Sequence, residues 1–218
     1  VIDSLFFTVS EAYQQSVALP NSKLVYEDKD LGFLIYELNK PLQPSDSMTM
    51  VAHFDYTPEG FENEVANMSV LKNGTFFNNA DILPSLGYEE NYELGDKNKR
   101  RKYDLPERKR MPDLQKDCSD LCMSNYLTNG TSDWVTVETF ISTSEDQIAI
   151  APGSLVSKEV KDGRVNYHYQ VDHPSQNFYS FISADYQVAT RKWQGIDLEV
   201  YYHPDHSINV ERMLDALQ

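Results

Sequence analysis

Cysteine is scarce, with two in 218 positions. Two cannot build the disulfide framework of a small secreted scaffold. Cys118 and Cys122 stand four apart, on one face if the segment is helical, with no histidine nearby. A structural zinc site takes about four ligands, so partly buried thiols are the expected state. No apolar run reaches the roughly 20 residues that span a bilayer, and no signal peptide is visible. Positive charge is short as well: 19 Lys and Arg against 34 Asp and Glu leave a net charge of -15. That argues against general nucleic-acid binding, which needs a basic footprint. The chain also lacks His-Glu-x-x-His, a Gly-x-Ser-x-Gly elbow and a phosphate-cradling glycine loop. Carboxylates are plentiful, but the spatial separation that defines a glycosidase pair is not a property of sequence.

What is present is a core and a period. Hydrophobic residues make up 40% of the chain, enough to exclude global disorder. The dominant period is two, the mark of half-buried antiparallel strands. In "WVTVETFIS", Trp134, Thr136, Glu138 and Phe140 share one face, and Val135, Val137, Thr139 and Ile141 the other. "RVNYHYQVD" sets Val165, Tyr167, Tyr169 and Val171 against Asn166, His168 and Gln170. "SMTMVAHFD" and "GIDLEVYYH" alternate in the same way, and further strands fit 4–9, 22–27, 32–38, 147–150 and 178–188. Asn73-Gly74 and Asp162-Gly163 predict two tight hairpins, because a two-residue turn needs positive φ at its centre. The fold class is all-β: an antiparallel β-sandwich or saddle of sheets, with a mostly irregular or short-helical insertion and a C-terminal helix that the chain truncates.

The insertion, 86–131, interrupts the alternation and carries a basic island. Lys97, Lys99, Arg100, Arg101, Lys102, Arg108, Lys109 and Arg110 are eight of the 19 basic residues, within 14 positions. A solvated loop paired with local carboxylates is favoured over an anionic partner such as a phospholipid surface. No aromatic ladder accompanies the island, which weakens single-strand nucleic-acid binding. Leu114, Leu121 and Tyr126 are candidate anchors for short helical turns. From Ser207, the residues Val210, Met213, Leu214 and Leu217 fall at helical spacing, with Ser207 or Asp205 as candidate cap. His203-Pro-Asp-His206 is the single close histidine pair; a polar strand-to-helix turn is favoured over a metal site. Asn67, Asn73 and Asn129 head glycosylation-type triplets.

The order of segments carries a resemblance. "NGTFFNNADILPSLGYEENYELGDKNKRRKYDLPERKRMPDL", "DWVTVETFISTSEDQIAIAPGSLV", "GRVNYHYQVDHPSQNFYSFISADYQV" and "IDLEVYYHPDHSINVERMLDAL" together resemble the amino-terminal, non-catalytic domain of aminopeptidase N type zinc metallopeptidases. The nearest branch in kind is the bacterial membrane proteins that join an ABC-transporter-like permease to such a peptidase region. The resemblance spans nearly the whole chain, most specifically at 74–88 and 147–153.

The resemblance implies a saddle-like β domain over 1–205, with 206–218 starting a helix into a catalytic domain outside this chain. In the family that catalytic domain carries His-Glu-x-x-His, a downstream glutamate and Gly-x-Met-Glu-Asn. It therefore implies no peptidase activity and no cofactor in this fragment, with zinc in the catalytic domain, which would be the intramolecular partner. Peptide substrate would be met through the full-length protein, an extracytoplasmic domain of a bacterial membrane protein, without nucleic acid. A polar residue of the family's substrate pocket carries over to Asn78, with Asn79 beside it. The family's Pro-Cys-x-Asp-x-Pro phrase is here Pro84-Ser85-Leu86-Gly87-Tyr88. The plain alternative is that both asparagines make a turn. Two other functions compete: a carbohydrate- or protein-binding β-sandwich module, motivated by 14 tyrosines and two tryptophans, and a scaffold domain of a catalytically inactive transporter-linked protein.

Overall fold

The computed structural model describes residues 1–10, 12–58, 68–87, 93–108, 116–119 and 134–218. The chain runs through β1 (Ile2–Thr8), β2 (Ser16–Ala18), β3 (Ser22–Asp28), β4 (Phe33–Leu42), β5 (Val51–His53), β6 (Val70–Leu71), β7 (Gly74–Asn78), α1 (Asn79–Ile82), β8 (Ser85–Leu86) and α2 (Lys97–Lys102). It continues through β9 (Trp134–Val135), β10 (Glu138–Ser144), β11 (Ile148–Ile150), β12 (Ser154–Lys161), β13 (Arg164–Gln170), β14 (Ser175–Gln176), β15 (Ser180–Ala184), β16 (Gln187–Trp193) and β17 (Ile196–Tyr202). A 3-10 segment (Pro204–Asn209) and α3 (Val210–Ala216) follow. The protein is all-β, and among the described residues every strand pairing is antiparallel. Contacts group it into two compact units, Val1–Thr57 with Ala80–Ser132, and Pro58–Asn79 with Asp133–Gln218.

In the first unit the sheet order is β3-β4-β1-β8, and β2 pairs with β5. Alternation puts Leu5 and Phe7 of β1 on the face shared by Leu34, Tyr36 and Leu38 of β4. Phe7, Leu19, Leu34 and Leu38 form its buried core. Phe7 stands opposite Leu34 in register and meets the Tyr36 ring edge-on at 5.9 Å. The Tyr36 hydroxyl donates to the Val17 carbonyl at 2.8 Å, which gives a polar atom of this apolar layer a partner. Burial pushes the Tyr36 phenol above its ordinary pKa. The strand expected across "SMTMVAHFD" is ordered as strand over Val51–His53 alone. Its partner β2 has just three residues to offer.

The second unit holds the sheets β10-β13-β12 and β11-β15-β7-β6 and the pairs β14-β9 and β16-β17. The two larger sheets meet through Ala149, Ala151, Val165, Tyr167 and Tyr169, with Ile141, Ile148 and Phe181 against them. Of these, Ile141, Val165, Tyr167 and Tyr169 lie on the faces that the period-two reading assigns to β10 and β13. Asp162 and Gly163, at φ of 53° and 74°, close the β12–β13 hairpin as expected. The expected strand 178–188 is two strands, β15 and β16. The break falls at Asp185-Tyr186, where the Tyr186 amide donates to the Ala184 carbonyl at 2.9 Å, and the Gln194-Gly195 turn (φ 48° and 86°) joins β16 to β17.

The other predicted turn needs correction. Leu71 pairs with Gly74 and Val70 with Thr75, so the turn centre is Lys72-Asn73 and Gly74 opens β7. Gly74 instead permits a close approach: a Cβ there would lie 3.0 Å from the Ala184 Cβ and 3.2 Å from the Ser183 carbonyl oxygen on β15. The terminal segment departs from expectation too. Its cap is His203, whose Nδ1 accepts from the Asp205 amide at 3.3 Å, and Asp205 and Ser207 lie inside the 3-10 segment. In α3, Val210 and Leu214 are buried within this unit while Met213 and Leu217 stay half exposed. Arg191 of β16 clamps the helix through Glu211 at 2.7 Å and Asp215 at 2.5 Å. Those carboxylates raise the Arg191 guanidinium above its ordinary pKa, Asp215 most.

If Gly74 serves packing, Gly74→Ala should lower stability by about 1–2 kcal/mol through overpacking, with Asn73→Ala costing under about 0.5 kcal/mol. Urea midpoints at unchanged m report both; equal losses would return Gly74 to a turn role.

Candidate functional site

Asn78 and Asn79 end β7, and β15 determines where they point. The pairing runs from Gly74↔Ala184 to Asn78↔Ser180. At its end the Asn78 Oδ1 accepts from the Ser180 hydroxyl at 2.9 Å. Asn79 is buried and uses both ends of its amide. Its Nδ2 donates to Asn177 Oδ1 at 2.9 Å and to the Asn177 carbonyl at 3.2 Å. Its Oδ1 accepts from the Tyr179 amide at 3.2 Å, and its own amide donates to the Tyr179 carbonyl at 2.9 Å. Asn79 is therefore a strap holding 177–179 to the end of β7. Burial raises the Tyr179 phenol above its ordinary pKa.

Beside this pairing lies a polar knot. Thr143 of β10 and Ser183 of β15 are buried, with their hydroxyls 2.6 Å apart. Ser183 donates to Gln147 Oε1 at 2.7 Å, and the Gln147 Nε2 donates to the Lys72 carbonyl at 3.4 Å. No base appears among these partners, so neither hydroxyl is set up as a nucleophile; the knot ties β10, β15 and the β6–β7 turn together. Tyr169 adds a second tie, its hydroxyl donating to the Ala149 carbonyl at 2.9 Å, and burial raises its phenol pKa. Tyr201 is raised as well, by burial and then by its hydrogen bond to Glu199.

The outer face of β10-β13-β12 carries the group that alternation hinted at and sequence reasoning did not single out. Phe140, on the polar face of its strand, is 75% exposed. It stacks on His168 across the pair, centroids 4.3 Å apart and planes within 10°. Glu138 Oε1 holds the His168 Nε2 at 2.8 Å. A shallow cleft of about 310 Å³ opens beside this stack, lined in part by Ser142, Ser157, Glu159 and Asn166. The Phe140–His168 stack, two hydroxyls, an amide and a carboxylate make a surface suited to a small polar ligand with an apolar face.

Within the basic island, Asp96 caps α2 by accepting from the Lys99 amide at 2.7 Å. Arg100 turns inward and is buried. Its Nε donates to the Pro106 carbonyl at 2.8 Å, and its Nη1 reaches the Leu94 carbonyl at 2.8 Å and Glu93 at 3.2 Å. Lys97 pairs with Glu107 at 2.6 Å, which holds the exposed Glu107 carboxyl below its ordinary range. Lys99, Arg101 and Lys102 are exposed. Of the six described basic residues of the island, Lys97 and Arg100 thus pair with nearby carboxylates.

The His203 and His206 rings lie 5.3 Å apart. Among the described residues no group of three or more His, Cys, Asp or Glu could hold a metal ion. Cys118 is disulfide-bonded, which corrects the expectation of thiols; the even cysteine count was the signal. Cys122, Lys109, Arg110, Leu114, Leu121, Tyr126, Asn67 and Asn129 lie outside the described residues. Asn73 sits in an exposed turn. No helix among the described residues is long and apolar enough to cross a membrane. No protein-family model matches the chain, and no curated protein matches it.

The strap separates the two asparagines by experiment. Asn79→Ala leaves the Tyr179 amide and the Asn177 groups without partners and should cost about 1–3 kcal/mol. Asn78→Ala removes the partly buried contact with the Ser180 hydroxyl and should cost about 0.5–1.5 kcal/mol. Urea denaturation of the two variants side by side checks the ranking.

Proposed function

We propose that this chain is a non-catalytic accessory domain of a membrane-associated, zinc aminopeptidase-like protein, bracing a catalytic domain and shaping one wall of its substrate cleft. The segment order described above motivates the reading, and the all-β architecture is compatible with it. The observation that carries it is the terminal segment. Beyond β17, Val210 and Leu214 dock within their own unit, while Ile208 at 93% exposure, Met213 and Leu217 leave an apolar surface uncovered. A surface of that kind suits a neighbouring domain. Zinc would belong to that neighbour, as the resemblance implies. Asn78 is the residue proposed for the pocket wall, with Asn79 holding the strand end that presents it.

The test is made in the full-length protein. Met213→Asp with Leu217→Asp should lower its melting temperature by several degrees, against little change in the isolated chain. Asn78→Ala should reduce turnover of aminoacyl substrates about 10-fold, one lost hydrogen bond in the transition state being worth about 1–1.5 kcal/mol. An unchanged rate removes Asn78 from the pocket, and a downstream coding sequence without His-Glu-x-x-His removes the peptidase reading altogether.

A second reading, a carbohydrate-binding module, is favoured by one observation, the exposed Phe140–His168 stack above its polar cleft. Calorimetry against a panel of neutral oligosaccharides should then show binding that Phe140→Ala abolishes without a change in stability. No heat with any of them sets this reading aside.

A further inference from the structure

We infer that β12 is a self-pairing edge, joining antiparallel to β12 of a second copy of this chain around Val160. β12 is the end strand of its sheet, and among the described residues no strand pairs with its outer side. All eight of its residues are exposed. They include Leu155, Val156 and Val160, at 50%, 53% and 62% exposure. An open edge with apolar side chains is a template for another strand. The shift in pairing between Leu155 and Ser157 disrupts its upper half, so Ser157–Lys161 is the regular stretch available.

Charge selects both the occupant and the register. Two copies related by a two-fold axis perpendicular to the sheet pair antiparallel with matching faces kept. Centred on Val160, Glu159 of each copy faces Lys161 of the other, and Lys158 comes beside the turn residue Asp162. Val160 meets its own counterpart on the face of its in-register neighbour Val165, so the contact extends a buried apolar row. Centred on Glu159, two glutamates oppose each other; centred on Lys158, two lysines do. Opposite charges directly across a ladder stabilise it and like charges destabilise it, so one register is favoured. Lysines on an edge normally discourage pairing. Here each has a carboxylate to meet in a second copy, which turns a general deterrent into a preference for self. Five residues per copy bury far less than the roughly 1,200 Å² of a stable interface, so the dimer is weak and concentration-dependent.

Sedimentation of the 218-residue chain over a wide concentration range tests this. The average mass should climb from monomer toward dimer. Glu159→Lys and Lys161→Glu alone should each stay monomeric, because each sets like charges face to face. An equimolar mixture of the two should associate again, since every cross-strand pair is then opposite in sign. Amides of residues 158–162 should gain protection from hydrogen exchange in concentrated samples of the native chain. The inference is overturned if the native chain stays monomeric throughout, which would leave the edge to a strand of some other protein or to none. It is also overturned if the single variants associate as well as the native chain, or if the mass climbs past dimer, the sign of an open head-to-tail pairing.

Discussion

The second unit depends on the ladder between β7 and β15. Five residue pairs, from Gly74↔Ala184 to Asn78↔Ser180, join segments about a hundred positions apart. The ladder sets Ser183 where it can close the knot with Thr143 and Gln147. It also delivers Asn79 to the backbone of 177–179. The third consequence is steric, because β7 can lie this close to β15 only if its first residue has no side chain. β15 carries β11 on its other edge, so the strand that supplies the buried Ala149 is held by the same ladder.

This dependence bears on how the candidate pocket residue should be read. Asn78 is fixed by the Ser180 hydroxyl, and Asn79 by three separate groups. A residue held this way is preorganised, the condition for a useful contact in a substrate cleft. The same bonds also serve stability, so loss of activity alone would not distinguish the two roles. The different engagement of the two neighbours is what separates them: Asn79 is buried and spent on the backbone and side chain of 177–179, while the Asn78 amide meets the Ser180 hydroxyl at the end of the ladder.

Much of the fold could be read from sequence because one face of each long strand is buried. Val165, Tyr167 and Tyr169 alternate with polar neighbours since a one-residue slip would turn all three to solvent. Asp162-Gly163 was legible because both residues need positive φ. Asn73-Gly74 misled because it too is a hairpin-type dipeptide while the constraint differs: a neighbouring strand, far off in sequence, required the glycine. The Phe140–His168 stack escaped notice for a related reason, since cross-strand partners become neighbours only when register is known. The terminal helix was recognised by its period, but its cap was misplaced, since Pro204 starts a 3-10 segment before the helix proper.

Both units are discontinuous in sequence, with the chain passing from one to the other after Thr57, Asn79 and Ser132. A nascent chain therefore completes neither unit early. β7 leaves the ribosome with Phe76 and Phe77 and no β15 to receive them, and about a hundred residues must follow first. At roughly 5–20 residues per second, that is about 5–20 s during which an apolar strand has an open edge. For that time the open edge is a site for mispairing, and the wait is set by chain order rather than by any property of the finished fold.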